Sequence, residues 1–226
     1  MQKRRLLPIA PNVYNYVLLS SLATVIFFLC EMWVLFALSF IAFIFILFFF
    51  RDPKRIAPAG ENLIVCPADG KVSCIEEVYE DEFFKSKAIR IVIVLSIFNV
   101  HINRSPISGV VKYKKYKHGK FIPVFKSHFC ESNERNSLGI ENSNGTKVLV
   151  NQITGFLARR IVCCAKTNSD LVLGERYGMI KFGSCVELFV PTNVDLKVAV
   201  GDKVKALSSI IGVINWEIIK KLYQIF

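Results

Sequence analysis

A long uncharged stretch near the N-terminus most strongly limits how this chain can fold. Residues 13–50 are apolar or uncharged at every position except Glu31. A helix needs about 20 apolar residues to cross a bilayer, so this stretch fits two passages better than one. We therefore predict a hydrophobic helical hairpin with membrane segments over about 13–30 and 32–50, and with Glu31 at the turn. One long tilted helix, or a shallow insertion from one side, are the alternatives, because the connection contains neither Gly nor Pro.

Basic side chains flank this stretch at both ends, at positions 3–5 and at positions 51, 54 and 55. By the positive-inside rule, both ends then lie in the cytoplasm, which predicts that the domain over residues 51–226 faces the cytoplasmic side of the cell membrane. Of the net charge of +11, residues 1–50 carry +2, which leaves +9 on the remainder. Beside an apolar anchor, anionic lipid is the simplest partner for that charge.

Residues 51–226 contain short runs rich in β-branched residues, separated by Gly, Pro, Asn or Asp. This pattern predicts a single, mostly β domain, shaped like a barrel or a sandwich. No long amphipathic pattern interrupts the runs, which disfavours a parallel α/β sheet. We expect a polar loop over 126–145, and the predicted strands cover 62–66, 71–78, 88–96, 109–116, 146–153, 156–164, 185–190, 195–200 and 209–214.

Composition also disfavours two kinds of site. The seven cysteines form no CxxC pair and no Cys/His ligand spacing, and the chain has three histidines, so we expect free thiols and no metal. Residues 112–120, KYKKYKHGK, come closest to a nucleic-acid motif, but their alternation fits a solvated strand better. We therefore expect no nucleic-acid partner.

Five short motifs occur in a fixed order: FFFRDPKR (48–55), PADGKV (67–72), FNVHINRSP (98–106), NERN (133–136) and FGS (182–184). Each is weak alone, and a Gly-Ser pair before a strand is usually just a turn. Together they resemble the phosphatidylserine decarboxylase proenzymes, specifically the short, membrane-associated class. The resemblance covers nearly all of the chain from Phe48 onward.

The resemblance implies that the chain is a zymogen that cuts itself between Gly183 and Ser184. The products would be a β chain of residues 1–183 and an α chain of residues 184–226, held together as a heterodimer. Ser184 would attack the Gly183 carbonyl and end as a pyruvoyl group, the covalent cofactor. His101 would be the base, because imidazole titrates near neutrality, and Asp69 would orient it. In that family these two residues are the processing pair.

The implied activity is that of a carboxy-lyase in phospholipid biosynthesis. The pyruvoyl ketone would form a Schiff base with the amine of membrane phosphatidylserine, and carbon dioxide would leave to give phosphatidylethanolamine. Cations would bind the substrate phosphate, and the candidates are Arg104, Arg159, Arg160 and Lys181. These four could equally be ion-pair partners on the face of a sheet.

This sequence departs from the family at two positions. Longer bacterial members have a second histidine, implicated in decarboxylation, where this chain has Phe98. His101 would then serve both steps, or Asn99, Asn103 or a water would substitute, so the acid that protonates the decarboxylated product is open. Cys185 follows the serine where the short class has Arg.

Two other functions are consistent with the same sequence. One is a pyruvoyl-dependent decarboxylase of a related lipid, and the other is a non-enzymatic, membrane-tethered β-domain. A protein of the second kind would remain one chain, whereas an enzyme of this type would run as two. The sequence leaves open whether a higher oligomer forms.

Overall fold

The computed structural model describes residues 9–10, 13–122, 129–155, 160–181 and 184–215. The chain divides into two compact units, Met1–Lys54 and Arg55–Phe226. The first contains two helices, α1 (Tyr14–Leu29) and α2 (Trp33–Phe49). The second contains a single helical turn, α3 (Phe129–Ser132), and the strands listed below.

The strands of the second unit follow in chain order: β1 (Leu63–Val65), β2 (Gly70–Glu80), β3 (Ser86–Leu95), β4 (Ile102–Arg104), β5 (Gly109–Lys117), β6 (Arg135–Glu141), β7 (Lys147–Thr154), β8 (Arg160–Cys163), β9 (Asp170–Leu171), β10 (Arg176–Lys181), β11 (Ser184–Val190), β12 (Val194–Leu196), β13 (Lys203–Val204) and β14 (Ile210–Ile214). The prediction of a mostly β domain is confirmed.

Two helices joined by a very tight turn occupy the stretch over which the hydrophobic membrane hairpin was predicted. Glu31 adopts a left-handed backbone with φ 57°, and the N–H groups of Glu31 and Met32 donate to Phe28 and Phe27. These two bonds cap the end of α1 in the manner that glycine usually permits. The Phe28 ring then packs on Trp33 at 5.9 Å between centroids, so aromatic contacts close the hairpin where no Gly or Pro is present.

The length of these helices bears on the membrane prediction. Within the described part of the chain, none of the helices combines the length and the apolar character needed to cross a membrane. The two helices end within two residues of the predicted segments, and the break at Glu31 replaces the single long helix that was the alternative. Their role at a membrane stays a prediction.

One curled antiparallel sheet of eight strands, a half-barrel, forms most of the second unit, in the order β13-β2-β3-β11-β7-β6-β5-β9. Two three-stranded sheets accompany it, β1-β14-β12 and β4-β10-β8. Strand β11 lies near the middle of the large sheet, and the residues from Cys185 to Val190 are all buried. The buried Glu187 is compensated by Arg90, 3.3 Å away, and by the amide of Asn151, 3.0 Å away.

Two expectations about the strands were wrong, and four further strands were not predicted. The polar loop expected over 126–145 contains α3 and the strand β6, whose buried Asn136 donates to Gln152 at 3.0 Å. The strand expected over 195–200 is only β12, because the backbone turns at Ala199–Asp202. Strands β4, β9, β10 and β13 were not predicted, although β4 lies within the FNVHINRSP motif. Residues 156–159 of another predicted strand lie outside the described residues.

Candidate functional site

The first residue of β11 is fixed on both sides by the large sheet. Ser184 pairs with Leu95 at the end of β3 and with Thr154 at the end of β7. Only the backbone of Ser184 is described, and Gly183 lies outside the described residues. The candidate cleavage site therefore lies immediately before a strand whose partners cannot shift without breaking two ladders of hydrogen bonds.

The chain reaches Ser184 from a different sheet. Strand β10 ends at Lys181, between β4 and β8, and β11 starts three residues later in the large sheet. His101 immediately precedes β4, and its carbonyl accepts a hydrogen bond of 3.3 Å from the N–H of Ile180. The structure thus brings the backbone of His101 beside the strand that leads to Ser184, although 83 positions separate these two residues in sequence. The His101 side chain is 1% exposed.

Asp69 lies in the loop between β1 and β2. This loop is tied to the His101 region, because the carbonyl of Pro67 accepts a hydrogen bond of 2.9 Å from the N–H of Arg104. It is also tied to the C-terminal part, where the N–H of Leu207 donates to Cys66 at 2.9 Å. Burial raises the pKa of the Cys66 thiol to about 12, so the thiol stays protonated and donates to Ala68.

Both carboxylate oxygens of Asp69 accept hydrogen bonds. Arg55 Nη2 donates to Oδ2 at 2.7 Å, and the backbone N–H of Ala206 donates to Oδ1 at 2.8 Å. A carboxylate has about four lone-pair positions, so these two bonds leave capacity for an imidazole N–H. The predicted orientation of His101 by Asp69 stays a prediction.

Arg55 is the residue that sequence reasoning missed. We interpreted it only as one of the basic residues that follow the apolar stretch. In the structure its side chain is 13% exposed and forms an ion pair with the nearly buried Asp69. A buried carboxylate requires such a partner, because an unpaired charge away from water is costly. Nothing in the RDPKR run at 51–55 indicates that its last residue, Arg55, contacts Asp69.

A chain of amides lies next to His101. Asn136 donates to Gln152, and Gln152 donates to Asn103 Oδ1 at 2.8 Å. The Asn103 side chain is fully buried, and its Nδ2 has no hydrogen-bond partner among the residues that the structure describes. This amide is therefore held two residues from His101 with a donor available. Asn99, the other candidate, instead closes a turn by accepting from the N–H of Ser96.

Two of the four candidate phosphate-binding residues, Arg104 and Arg160, pair with different ends of β10, at Arg176 and Lys181. Arg104 is 4% exposed and donates to the carbonyl of Gly174 at 3.2 Å. Arg160 is exposed and lies opposite Lys181 across the β8–β10 ladder, close to the cleavage position. Only the backbone of Lys181 is described, and Arg159 lies outside the described residues. Lys181 precedes Ser184 by three residues, and Arg160 is its partner across the ladder.

Position 98 contributes no histidine, and its Phe side chain is 65% exposed. Cys185 is fully buried in β11 and lies 3.8 Å from Cys130, measured between the sulfur atoms. No group of three or more His, Cys, Asp or Glu side chains that could hold a metal ion occurs among the described residues. The candidate set consists of a serine that begins β11, a buried imidazole just before β4 and a buried carboxylate in the loop between β1 and β2. Such a set can promote acyl transfer from a backbone carbonyl.

Comparison with known proteins identifies the family. Residues 42–212 match the family model described as phosphatidylserine decarboxylase. The chain belongs to the phosphatidylserine decarboxylase family. It is 46% identical over 198 residues to the phosphatidylserine decarboxylase proenzyme of Carboxydothermus hydrogenoformans, covering 87% of this chain and 92% of that one. It is 41% identical over 207 residues to the proenzyme of Geotalea uraniireducens, covering 92% and 97%.

Membership of the phosphatidylserine decarboxylase family confirms the resemblance and the predicted enzyme class, a carboxy-lyase. The relatives are named proenzymes, which is consistent with a chain that matures by cleavage. The non-enzymatic tether that the sequence left open is thereby disfavoured.

Proposed function

We propose that this protein cuts itself between Gly183 and Ser184 and then converts membrane phosphatidylserine to phosphatidylethanolamine and carbon dioxide. The observation that carries the proposal is the junction of β10 and β11. There the carbonyl of His101 accepts a hydrogen bond from the N–H of Ile180, and Ser184 begins a strand held between β3 and β7. Self-cleavage needs a nucleophile, a base and the scissile peptide bond at one place, and this pairing supports the choice of His101 and Ser184 for the first two roles.

The cut itself uses only groups of the chain, and water enters when the pyruvoyl group forms. His101 takes the proton of the Ser184 hydroxyl, which attacks the Gly183 carbonyl, and the amide becomes an ester with a free amine at residue 184. Loss of the proton on the Ser184 Cα expels Gly183 as a carboxylate and leaves a dehydroalanine. Water then replaces its nitrogen, which leaves as ammonia, and residue 184 becomes pyruvoyl. The carboxylate of Asp69 would stabilise the imidazolium, and Arg55 would hold that carboxylate in place.

The position of residue 184 fits a pyruvoyl group. Because the group begins the α chain, that chain must remain bound after the backbone is cut. Four ladders would hold it: β11 pairs with β3 and with β7, β13 pairs with β2, and β14 pairs with β1. These contacts support a tight heterodimer of the α and β chains. When present, the pyruvoyl group supplies the electron sink for decarboxylation.

The remaining residues around the junction would bind and orient the substrate. Arg160 and Lys181 are paired on adjacent strands shortly before residue 184. Their positive charges would suit a phosphodiester. His101 and the free Nδ2 of Asn103 are the candidates to hold and deliver the proton that replaces carbon dioxide. Burial of both side chains would exclude competing water from the reacting carbon.

Denaturing mass spectrometry of an active preparation tests the whole proposal, because it gives the masses of the separate chains. We expect chains of 183 and 43 residues, the shorter one blocked by pyruvoyl, together with release of carbon dioxide from phosphatidylserine. Soluble serine and a related amine lipid serve as comparison substrates, and preference for one of them would identify the alternative decarboxylase. An active preparation that contains only the intact 226-residue chain would refute the cleavage.

Arg55→Ala is expected to slow self-cleavage. The change removes a charge-assisted hydrogen bond from a nearly buried carboxylate, which costs roughly 1.5–3 kcal/mol and loosens Asp69. Arg55→Lys should retain part of the effect, because it keeps the charge and loses the planar fork. The readouts are the precursor fraction on a reducing gel over time and the melting temperature.

The matched control is Lys54→Ala, which removes a neighbouring exposed cation. It should process at the wild-type rate. Equal slowing by both variants would mean that the charge of this segment, rather than the contact with Asp69, governs cleavage.

We further propose that α1 and α2 hold the enzyme at the cytoplasmic face of the cell membrane. The most exposed large apolar side chains of the hairpin include Leu18, Leu29 and Val34, at 67%, 73% and 73%. Large apolar side chains that are exposed together on one pair of helices indicate an interaction site. Attraction of the basic second unit to anionic lipid would add on the order of 1 kcal/mol per well-placed Lys or Arg, screened by salt.

A chain that starts at Arg51 is therefore expected to cleave itself, since Arg55, Asp69, His101 and Ser184 are all retained. Its turnover of phosphatidylserine in vesicles should fall sharply, whereas a short-chain soluble analogue should be affected much less. Circular dichroism and the melting temperature check the fold. Equal loss on both substrates would mean that the hairpin shapes the catalytic site, and unchanged activity on vesicles in high salt would mean that the hairpin does not deliver the enzyme to its lipid.

A further inference from the structure

Two cysteines from distant parts of the sequence meet beside the cleavage position. Cys130 lies in α3, and Cys185 is the second residue of β11, directly after Ser184. Their sulfur atoms are 3.8 Å apart. Cys185 is fully buried and Cys130 is half-buried. Both pack in one apolar cluster with Val92 and Ile153.

The cleavage proposed above would place these two cysteines in different chains. Cys130 belongs to residues 1–183, and Cys185 is the only cysteine in residues 184–226. Any disulfide between the mature chains must therefore use Cys185. Cys130 is the nearest candidate, because its sulfur already contacts that of Cys185.

The bond would require a modest approach of one element. A disulfide has a sulfur–sulfur distance of about 2.05 Å, so the two atoms must move closer by about 1.8 Å. Cys185 is held by pairing with Val94 on one side and with Ile153 on the other. Cys130 lies on a single helical turn of four residues. The approach is therefore assigned to α3, which has no ladder to break.

We propose that Cys130 and Cys185 form a reversible disulfide that covalently joins the two chains beside the pyruvoyl end, when the enzyme meets a low-molecular-weight disulfide. The disulfide can form in the uncut chain as well. Only its joining of two separate chains rests on the proposed cleavage. The more exposed Cys130 reacts first, as its thiolate attacks the small disulfide and releases one small thiol. The Cys185 sulfur then attacks Cys130, loses its proton and releases the second thiol. Two protein thiols are oxidised, and one small disulfide is reduced to two thiols.

The two cysteines differ in a way that sets this order. Burial raises the pKa of the Cys185 thiol well above its usual range, and the neighbouring Cys130 raises it further. Cys185 is thus a poor first nucleophile toward a reagent in solution. Once Cys130 carries the small thiol, attack by Cys185 is intramolecular and takes place between atoms already in contact.

The link would fix α3 against β11, the first strand of the α chain, and retain that chain even when the strand pairing is weakened. It is reversible by reductant, and it would give the mature enzyme a redox-dependent stability. A disulfide between the two chains lowers the entropy of the dissociated state, because the chains can no longer separate. This stabilises the heterodimer.

The test uses the full-length processed protein incubated with oxidised glutathione. On a non-reducing denaturing gel, the 183- and 43-residue chains should migrate as one species, and reductant should separate them. Cys130→Ser and Cys185→Ser should each abolish the linked species. Cys164→Ser, at an exposed cysteine, is the matched control and should leave the link unchanged.

Failure of the link and failure of the cleavage give different results. A chain that is never cut would still yield a peptide containing Cys130 bonded to Cys185 on mass mapping of the intact protein. Absence of both the linked species and this peptide in oxidised protein would overturn the proposal. A link that survives in Cys130→Ser would assign the partner to another cysteine, for which Cys74 in the same cluster is the first to examine.

Discussion

Ser184→Ala is expected to leave the chain uncut and inactive. Alanine has no hydroxyl to attack the Gly183 carbonyl, so neither the ester nor the pyruvoyl group can form. Decarboxylation should fall to the uncatalysed rate, a loss of at least about a millionfold for an enzyme of ordinary power. Denaturing mass spectrometry should find one chain of 226 residues, and assays with phosphatidylserine in vesicles should release no carbon dioxide above the background.

The fold of this variant should be unchanged, because the backbone pairing of residue 184 with Leu95 and Thr154 does not involve its side chain. Ser86→Ala, at an exposed serine that begins β3, is the matched control and should give two chains and full activity. Cleavage or decarboxylation by Ser184→Ala would show that another residue carries the chemistry.

The sequence predicted those elements whose signal is local. The alternation of CVELFV predicts β11, and the apolar run over 88–96 predicts β3, because each strand is buried and its residues favour a pleated chain. The two helices likewise follow from their apolar composition. The Gly-Ser pair in front of β11 could be located for the same reason, since it precedes a strand that the pattern defines.

Elements with a polar pattern, and contacts between distant residues, could not be predicted. Strand β6 was hidden because Asn136 and Ser137 are buried polar residues, and Asn136 meets its partner Gln152 only in the folded sheet. The pairing of Arg55 with Asp69, and of Cys130 with Cys185, depends on how strands from different parts of the chain associate. No spacing in one sequence records that association, so the motifs identified the candidate residues without their geometry.

His101→Ala is expected to accumulate the uncleaved precursor. A positioned base contributes about 10²- to 10⁴-fold to a proton-transfer step, and without it the serine hydroxyl attacks an amide too slowly to process the chain during expression. The side chain is 1% exposed, so alanine also leaves a cavity that could unfold the domain. His101→Asn keeps most of the volume and removes the base, which separates the two effects. Reducing gels measure the precursor fraction, and melting temperatures measure the fold.

The control is His118→Ala, at an exposed histidine that contacts only the ring of Tyr116 among the aromatic side chains described. It should process normally. Asp69→Asn should also accumulate precursor, but less completely, because it removes the charge that stabilises the imidazolium and leaves the base in place. Normal cleavage by folded His101→Asn would remove this histidine from the self-cleavage step. The base would then have to be sought among the groups next to residue 184, because the ladder that fixes Ser184 limits how far its hydroxyl can reach.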